Sequence, residues 1–215
     1  AASRPFMKLV NIPANPVPDQ VVTGAIKTPD GVSLRFARWA PPPGRKGTVV
    51  VLQGRAEFIE KYFETVRDLR ARGFAVATFD WRGQGLSDRA LSDRRKGHVR
   101  NFSEYLTDLE AIMEQVVLPD CPPPFFALGH SMGGAVAIRA CHDGARWFER
   151  VVLSAPMIAL PSQAKMNVAG PFARVFRMFG GGKAYVPSSR EAQSEGNHAF
   201  LGDVLTSDPV RYARN

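Results

Sequence analysis

Apolar positions along this chain change period several times, and each change marks an element. Between residues 48 and 52 the run Thr48, Val49, Val50, Val51, Leu52 is short, β-branched and almost wholly apolar, the pattern of a strand covered on both faces. Residues 60–72 instead repeat Phe63, Val66 and Leu69 at helical spacing and run into Gly73, a helix-ending residue. Residues 74–79 read as a strand again. Across residues 102–117, Tyr105, Leu109, Ile112 and Val116 mark one helical face, with Ser103 as the expected cap. Pro122, Pro123 and Pro124 close that connection, and a strand at 125–128, a helix at 132–141 and a strand at 150–153 follow.

Upstream, residues 5–20 are rich in Pro and Asn and read as an extended lead-in. Residues 21–27 and 32–39 form a predicted hairpin, with Asp30 and Gly31 supplying a turn that tolerates positive φ. The fold class is therefore α/β, with a mostly parallel, doubly wound sheet, helices on both faces and an antiparallel N-terminal hairpin at one edge. Ligands of such sheets sit beyond the carboxyl ends of the strands. Three of the four parallel-type strands end in unusual sequences: Gln53, Gly54, Arg55; then Asp80, Trp81, Arg82, Gly83; then Gly129, His130, Ser131.

Length and composition fit this reading, since 215 residues with 45% hydrophobic content give one sizeable core and a smaller appended region. The excess of 28 Lys and Arg over 20 Asp and Glu gives a net charge of +8. Its bearers, among them Arg67, Arg70, Arg72, Arg82 and Arg89, are scattered, and the densest run, Arg94, Arg95 and Lys96, falls in a loop. They are read as solvated surface, and no nucleic-acid motif accompanies them. Cys121 and Cys141 are read as free thiols, because neither has a clustered Cys or His with which to bind metal. No cofactor is expected. With no run of 18 to 20 apolar residues and no visible signal peptide, the expected location is the cytoplasm, with peripheral membrane contact left open. Oligomeric state is not addressed by the sequence.

The chemistry centres on Gly129, His130, Ser131, Met132 and Gly133, a G-x-S-x-G pattern lying between an apolar strand and the helix-forming run Ala135, Val136, Ala137, Ile138. A serine lifted on so sharp a strand-to-helix turn has a strained backbone, and its neighbours two places away must be small. It also sits at a helix N-terminus, which favours developing negative charge. Ser131 is the candidate nucleophile. The backbone N–H groups of Met132 and, from the loop after the strand at 48–52, Arg55 are the candidate oxyanion donors.

With these residues in hand, the chain resembles the monoacylglycerol lipase and lysophospholipase group of α/β-hydrolases. The similarity runs from about residue 24 to about residue 157. It rests on Gln53 to Glu57 against a His-Gly-x-x-Glu loop, on Asp80 to Ser87 against D-x-R-G-x-G-x-S, and on the Gly-His-Ser-Met-Gly-Gly run. Gln53 departs from the histidine of many relatives. The resemblance implies that Gly54, Glu57, Gly129, His130 and Gly133 support the site, with Glu57 bracing the oxyanion loop, and that the Asp80–Ser87 loop shapes the acyl pocket. It also divides the chain into a hydrolase core at 1–156 and the start of a cap at 157–215, where residues 162–179 read as an apolar helix with basic interruptions.

A serine nucleophile needs a histidine base and an orienting carboxylate, which follow it in chain order in this fold. After Ser131 only His142 and His198 occur, and neither has a carboxylate in the right order at a strand end. His98 precedes the nucleophile, and His130 is adjacent to it. Members of the resembled group continue for roughly another 80 to 100 residues past this point, so the triad Asp and His are expected beyond Asn215. The expected function is hydrolysis of long-chain acyl esters, of a lysophospholipid or a monoacylglycerol, through an acyl-enzyme on Ser131. A thioesterase or acyltransferase of the same fold, and a non-catalytic binding module, are the alternatives.

Overall fold

The computed structural model describes residues 7–44, 46–94 and 96–159. The chain divides into two compact units, Ala1–Met157 and Ile158–Asn215. The helix expected at 162–179, His198 and, apart from residues 157–159, the cap region lie outside the described residues.

Six strands form one sheet in the order β1-β2-β4-β3-β5-β6. Strands β1 (Val21–Lys27) and β2 (Ser33–Trp39) are the antiparallel hairpin at one edge, and β2 pairs antiparallel with β4 (Ala75–Phe79). From there β4, β3 (Thr48–Leu52), β5 (Phe125–His130) and β6 (Arg150–Ser154) run parallel. The period of two along each strand divides the core cleanly. Leu34, Phe36, Val50, Leu52, Ala77 and Phe79 enter one apolar cluster, while Ala37, Trp39, Val49, Val51 and Val76 enter the other.

Helices cover both faces. Phe63 and Val66 of α1 (Phe63–Ala71) pack into the second cluster. The first cluster receives Leu109 and Ile112 of α2 (Glu104–Ile112) together with Val136 and Ala137 of α4 (Met132–His142). Phe63 and Val66, and Leu109 and Ile112, stand three residues apart, and Met132, Val136 and Ala140 of α4 stand four apart, as an amphipathic helix requires. The outer edge β6 is largely exposed, with Val152 60% accessible. Among the described residues no helix is long and apolar enough to cross a membrane.

The structure corrects several local expectations. The helix expected from residue 60 opens instead as a 3₁₀ turn, Ile59–Tyr62, before α1. Here Glu60 is drawn into the interior by Arg35 rather than left on a helix surface. The helix expected to run unbroken to residue 117 passes after Ile112 into a π turn, Met113–Val117, and then the single turn α3, Leu118–Asp120. Ser103 does precede α2, but its backbone is already helical (φ −61°, ψ −21°) and its hydroxyl makes no capping bond. A cap needs an extended backbone to reach back to the first N–H groups.

Arg82 corrects the reading of scattered surface charge. It is buried and binds Asp108 and Asp30. The pair with Asp108 ties the loop after β4 to α2, and the pair with Asp30 ties it to the hairpin turn.

Candidate active site

The turn from β5 into α4 carries Ser131 at φ 47° and ψ −113°, the residue immediately before the helix. Positive φ is strained for a residue with a Cβ and persists only where the surroundings hold it. Backbone hydrogen bonds hold it here: the Ser131 N–H donates to the Ser154 carbonyl at 3.1 Å, and the Ser131 carbonyl accepts from Ala135 at 3.2 Å and Met157 at 2.9 Å. Met132 follows as the buried first residue of α4.

Small neighbours make the turn possible. A Cβ on Gly129 would lie 2.8 Å from the Gly134 Cα, so the two arms of the turn touch through bare backbone. One on Gly133 would overlap the Leu52 carbonyl and lie 2.6 Å from the Gln53 carbonyl oxygen. The start of α4 is therefore seated on the carboxyl end of β3. On the other side of this junction, a Cβ on Gly54 would lie 3.1 Å from the His130 ring. Sequence positions 52–54 and 130–133 thus meet, as the strand order β3-β5 requires.

The loop after β3 is held from several directions. Glu57 Oε2 accepts the Gly54 N–H at 2.6 Å and the Tyr62 hydroxyl at 2.6 Å. Burial first, and then the Glu57 carboxylate, push the Tyr62 phenol well above its ordinary pKa, so it stays a donor. Gln53 is fully buried, and its amide donates to Thr78 Oγ1 at 3.1 Å, while its Oε1 has no partner among the described residues. The Trp81 indole N–H donates to the Gln53 carbonyl at 2.9 Å.

Gln84 is a contributor that sequence reasoning missed. Its Nε2 donates to the Gly54 carbonyl at 3.1 Å, and its Oε1 accepts the Ala56 N–H at 2.7 Å. The two bonds straddle Arg55. Ala56 sits at φ 60°, another strained backbone. Because the Gly54–Arg55 peptide is planar and trans, pinning the Gly54 carbonyl also fixes the direction of the Arg55 N–H, which points to the opposite side. The pattern D-x-R-G-x-G-x-S contains Gln84 at a variable place, so only the fold, bringing two loops together, marks it out.

Beneath both loops lies a buried ion cluster. Arg35 donates from Nε to Asp80 at 2.6 Å and from its two terminal nitrogens to the Glu60 carboxylate at 2.8 Å each. Burial works against the Arg35 charge, but Glu60 and Asp80 more than offset it and hold the guanidinium above its usual pKa. Asp80 accepts the Ile59 N–H at 2.9 Å and the Leu86 N–H at 2.9 Å, so one carboxylate fixes the loop after β3 and the loop after β4 together. Removing one partner of such a buried pair costs about 3–5 kcal/mol.

The described histidines are placed as follows. His130 is half-buried with Nδ1 3.2 Å from the Ser154 carbonyl oxygen, to which its protonated tautomer donates. His142 is the exposed last residue of α4. His98 lies with its backbone against Gly83. The Arg55 side chain is exposed, so the backbone of that residue is what the loop geometry constrains.

Comparison with known proteins agrees with this geometry. The family model described as serine aminopeptidase, S33 matches residues 43–210. Lysophospholipase L2 of Escherichia coli is 34% identical over 190 residues, covering 86% of this chain and 54% of that protein. Monoglyceride lipase of Rattus norvegicus is 29% identical over 157 residues, covering 73% of this chain and 48% of that protein. The chain thus spans about half the length of the curated relatives it matches. Among solved structures, a putative hydrolase from Agrobacterium vitis superposes with a TM-score of 0.58 at 22% identity, covering 74% of this chain and 61% of that one. The DcsB structure superposes at 0.62 and 19% identity, covering 74% and 53%. Strand order, the strained serine turn and the extent of the family match converge, and the chain belongs to the serine aminopeptidase S33 family of α/β-hydrolases, in its lysophospholipase- and monoacylglycerol lipase-like branch.

Proposed function

We propose that this chain carries the nucleophile and oxyanion hole of a serine hydrolase that cleaves carboxylic esters of long acyl chains, with Ser131 as the attacking residue. The observation that carries the reading is the Ser131 backbone at φ 47°, immediately before α4, closed onto the end of β3 through Gly133. Strain of this kind, upheld by surrounding bonds, has a use where a side chain must stand clear at a helix N-terminus.

In this mechanism Ser131 Oγ attacks the ester carbonyl carbon as its proton passes to a histidine base. The carbonyl oxygen becomes an oxyanion held by the N–H groups of Met132 and Arg55. Collapse expels the alcohol, which takes the proton, and leaves an acyl-enzyme. Water then repeats the sequence and releases the fatty acid. Gln84 supports the Arg55 donor by pinning the same peptide from its carbonyl side. None of His98, His130 and His142 is assigned as the base, because His130 faces the Ser154 carbonyl, His142 ends α4 in solvent and His98 precedes the nucleophile. No described residue is assigned as the base or as its orienting carboxylate.

Relatives named lysophospholipase and monoglyceride lipase support a glycerol-based lipid ester as substrate. The test is hydrolysis of monooleoylglycerol and of an oleoyl lysophospholipid by the full-length protein, with Ser131→Ala expected to abolish both. Activity surviving in Ser131→Ala overturns the assignment, and an inert wild type favours the binding-module reading.

A further inference from the structure

A cavity of about 550 Å³ lies beside the loop after β3. Its walls include Arg55 and Glu57, Gln84 of the loop after β4, and Arg89 and Arg94 further along the chain. Three arginines and one carboxylate line it. That carboxylate, Glu57, is already engaged by the Gly54 N–H and the Tyr62 hydroxyl.

Among the described residues none of Arg55, Arg89 and Arg94 enters an ion pair, whereas buried Arg35 and Arg82 are both paired with carboxylates. Arg89 is half-buried, donates to the Gly83 and Gly85 carbonyls, and leaves its Nε buried with no partner among the described residues. Burial, and then the charge of Arg94, push the Arg89 pKa down, and Asp80, bound to Arg35, answers only in part. Arg89 is thus a cation at a partly desolvated wall whose Nε–H has no described partner, and an anion in the cavity answers both. An acyl chain does not.

From this geometry we infer that the cavity is an anion subsite, in which Arg89 and Arg94, with Arg55 at its edge, bind the phosphate group of a substrate whose ester reaches Ser131. This rests on the ester hydrolase reading and narrows it. Planar guanidinium groups suit a phosphate, which accepts several N–H bonds at once. Arg55 lines the cavity and also carries the candidate oxyanion N–H, which makes this loop the link between the two sites.

The test compares 1-oleoyl-glycero-3-phosphate with 1-oleoylglycerol, which share an acyl chain and differ in the phosphate, on the full-length protein. Arg94 is the residue to change, because it is exposed and no described hydrogen bond of the fold depends on it. Arg94→Gln is expected to lower kcat/KM for the phosphate ester about tenfold or more, mainly through KM, with the neutral ester within about twofold. Arg94→Lys is expected to recover part of the loss. Equal loss on both esters, or no loss on either, overturns the subsite.

Binding separates this inference from the reaction. Glycerol 3-phosphate and inorganic phosphate are titrated calorimetrically into wild type and Arg94→Gln. Saturable binding of glycerol 3-phosphate that the substitution weakens supports the subsite even if neither ester is hydrolysed, in which case the hydrolase reading alone fails. Absence of binding to wild type overturns the subsite. Binding of inorganic phosphate as tight as that of glycerol 3-phosphate, with ester selectivity unchanged in Arg94→Gln, assigns the cavity to free phosphate and overturns the headgroup role.

Discussion

Gly133 rests directly on the carbonyl of Leu52, so closely that a Cβ at this position would overlap the oxygen. One residue of a helix is thereby locked to the last residue of the neighbouring strand, and Ser131 is set two positions back from that contact. Gly133→Ala must push backbone against backbone, with no flexible side chain to yield. Its expected cost is about 2–3 kcal/mol or more, at the upper end of ordinary overpacking. Gly134→Ala meets Pro156 Cβ at 3.0 Å and the Gly129 carbonyl oxygen at 3.3 Å, looser contacts than those at Gly133, and should cost less. Urea denaturation of the two variants measures the order, and a Gly133→Ala protein as stable as wild type contradicts the seating described here.

Gln84 offers a sharper test of the oxyanion loop because both ends of its side-chain amide are committed to that loop. Gln84→Glu retains the size and the acceptor for Ala56 but loses the donor to the Gly54 carbonyl. A misaimed oxyanion donor weakens the transition state more than the ground state, so kcat should fall by about 10- to 100-fold with little change in KM. Steady-state kinetics on the full-length enzyme separates the two parameters. A change confined to KM would mean that Gln84 serves binding alone.

Acid sensitivity follows from Asp30. Its hydrogen bond from Arg82, then that from Thr28, lowers its pKa from 3.8 to about 2. A carboxylate depressed in the folded state stabilises above its unfolded pKa and loses that contribution as pH falls through the folded value. The stabilisation from Asp30 is therefore full above about pH 4 and drains away toward pH 2. Because Asp30 is largely exposed, solvent screens the effect and keeps it modest. Asp30→Asn should be less stable than wild type at pH 7, and the gap should close between pH 4 and pH 2. Thermal melts across that range check the sign, and a gap that widens with acid contradicts it.

Much of the architecture was legible because its signals are local. Thr48 to Leu52 reads as a buried strand from composition alone, and the glycines around Ser131 mark a tight turn by residue type and spacing. The site's supports were less legible, since they join distant stretches of chain. Gln84 meets Gly54 across 30 residues and Arg35 meets Asp80 across 45, and no periodicity carries such a pairing. Arg82 looked like one more scattered surface charge because its partners Asp30 and Asp108 lie 52 and 26 residues away. The Ser103 cap failed for a subtler reason: the residue type was right, but the chain enters α2 already helical.

The most direct test of the account is covalent labelling of Ser131. The full-length protein is treated with a fluorophosphonate and the modified peptide identified by mass spectrometry. One equivalent should attach at Ser131, and Ser131→Ala should remain folded yet unlabelled. Stoichiometric labelling at another residue, or none in a folded wild-type protein that contains its full sequence, contradicts the assignment of Ser131 as nucleophile.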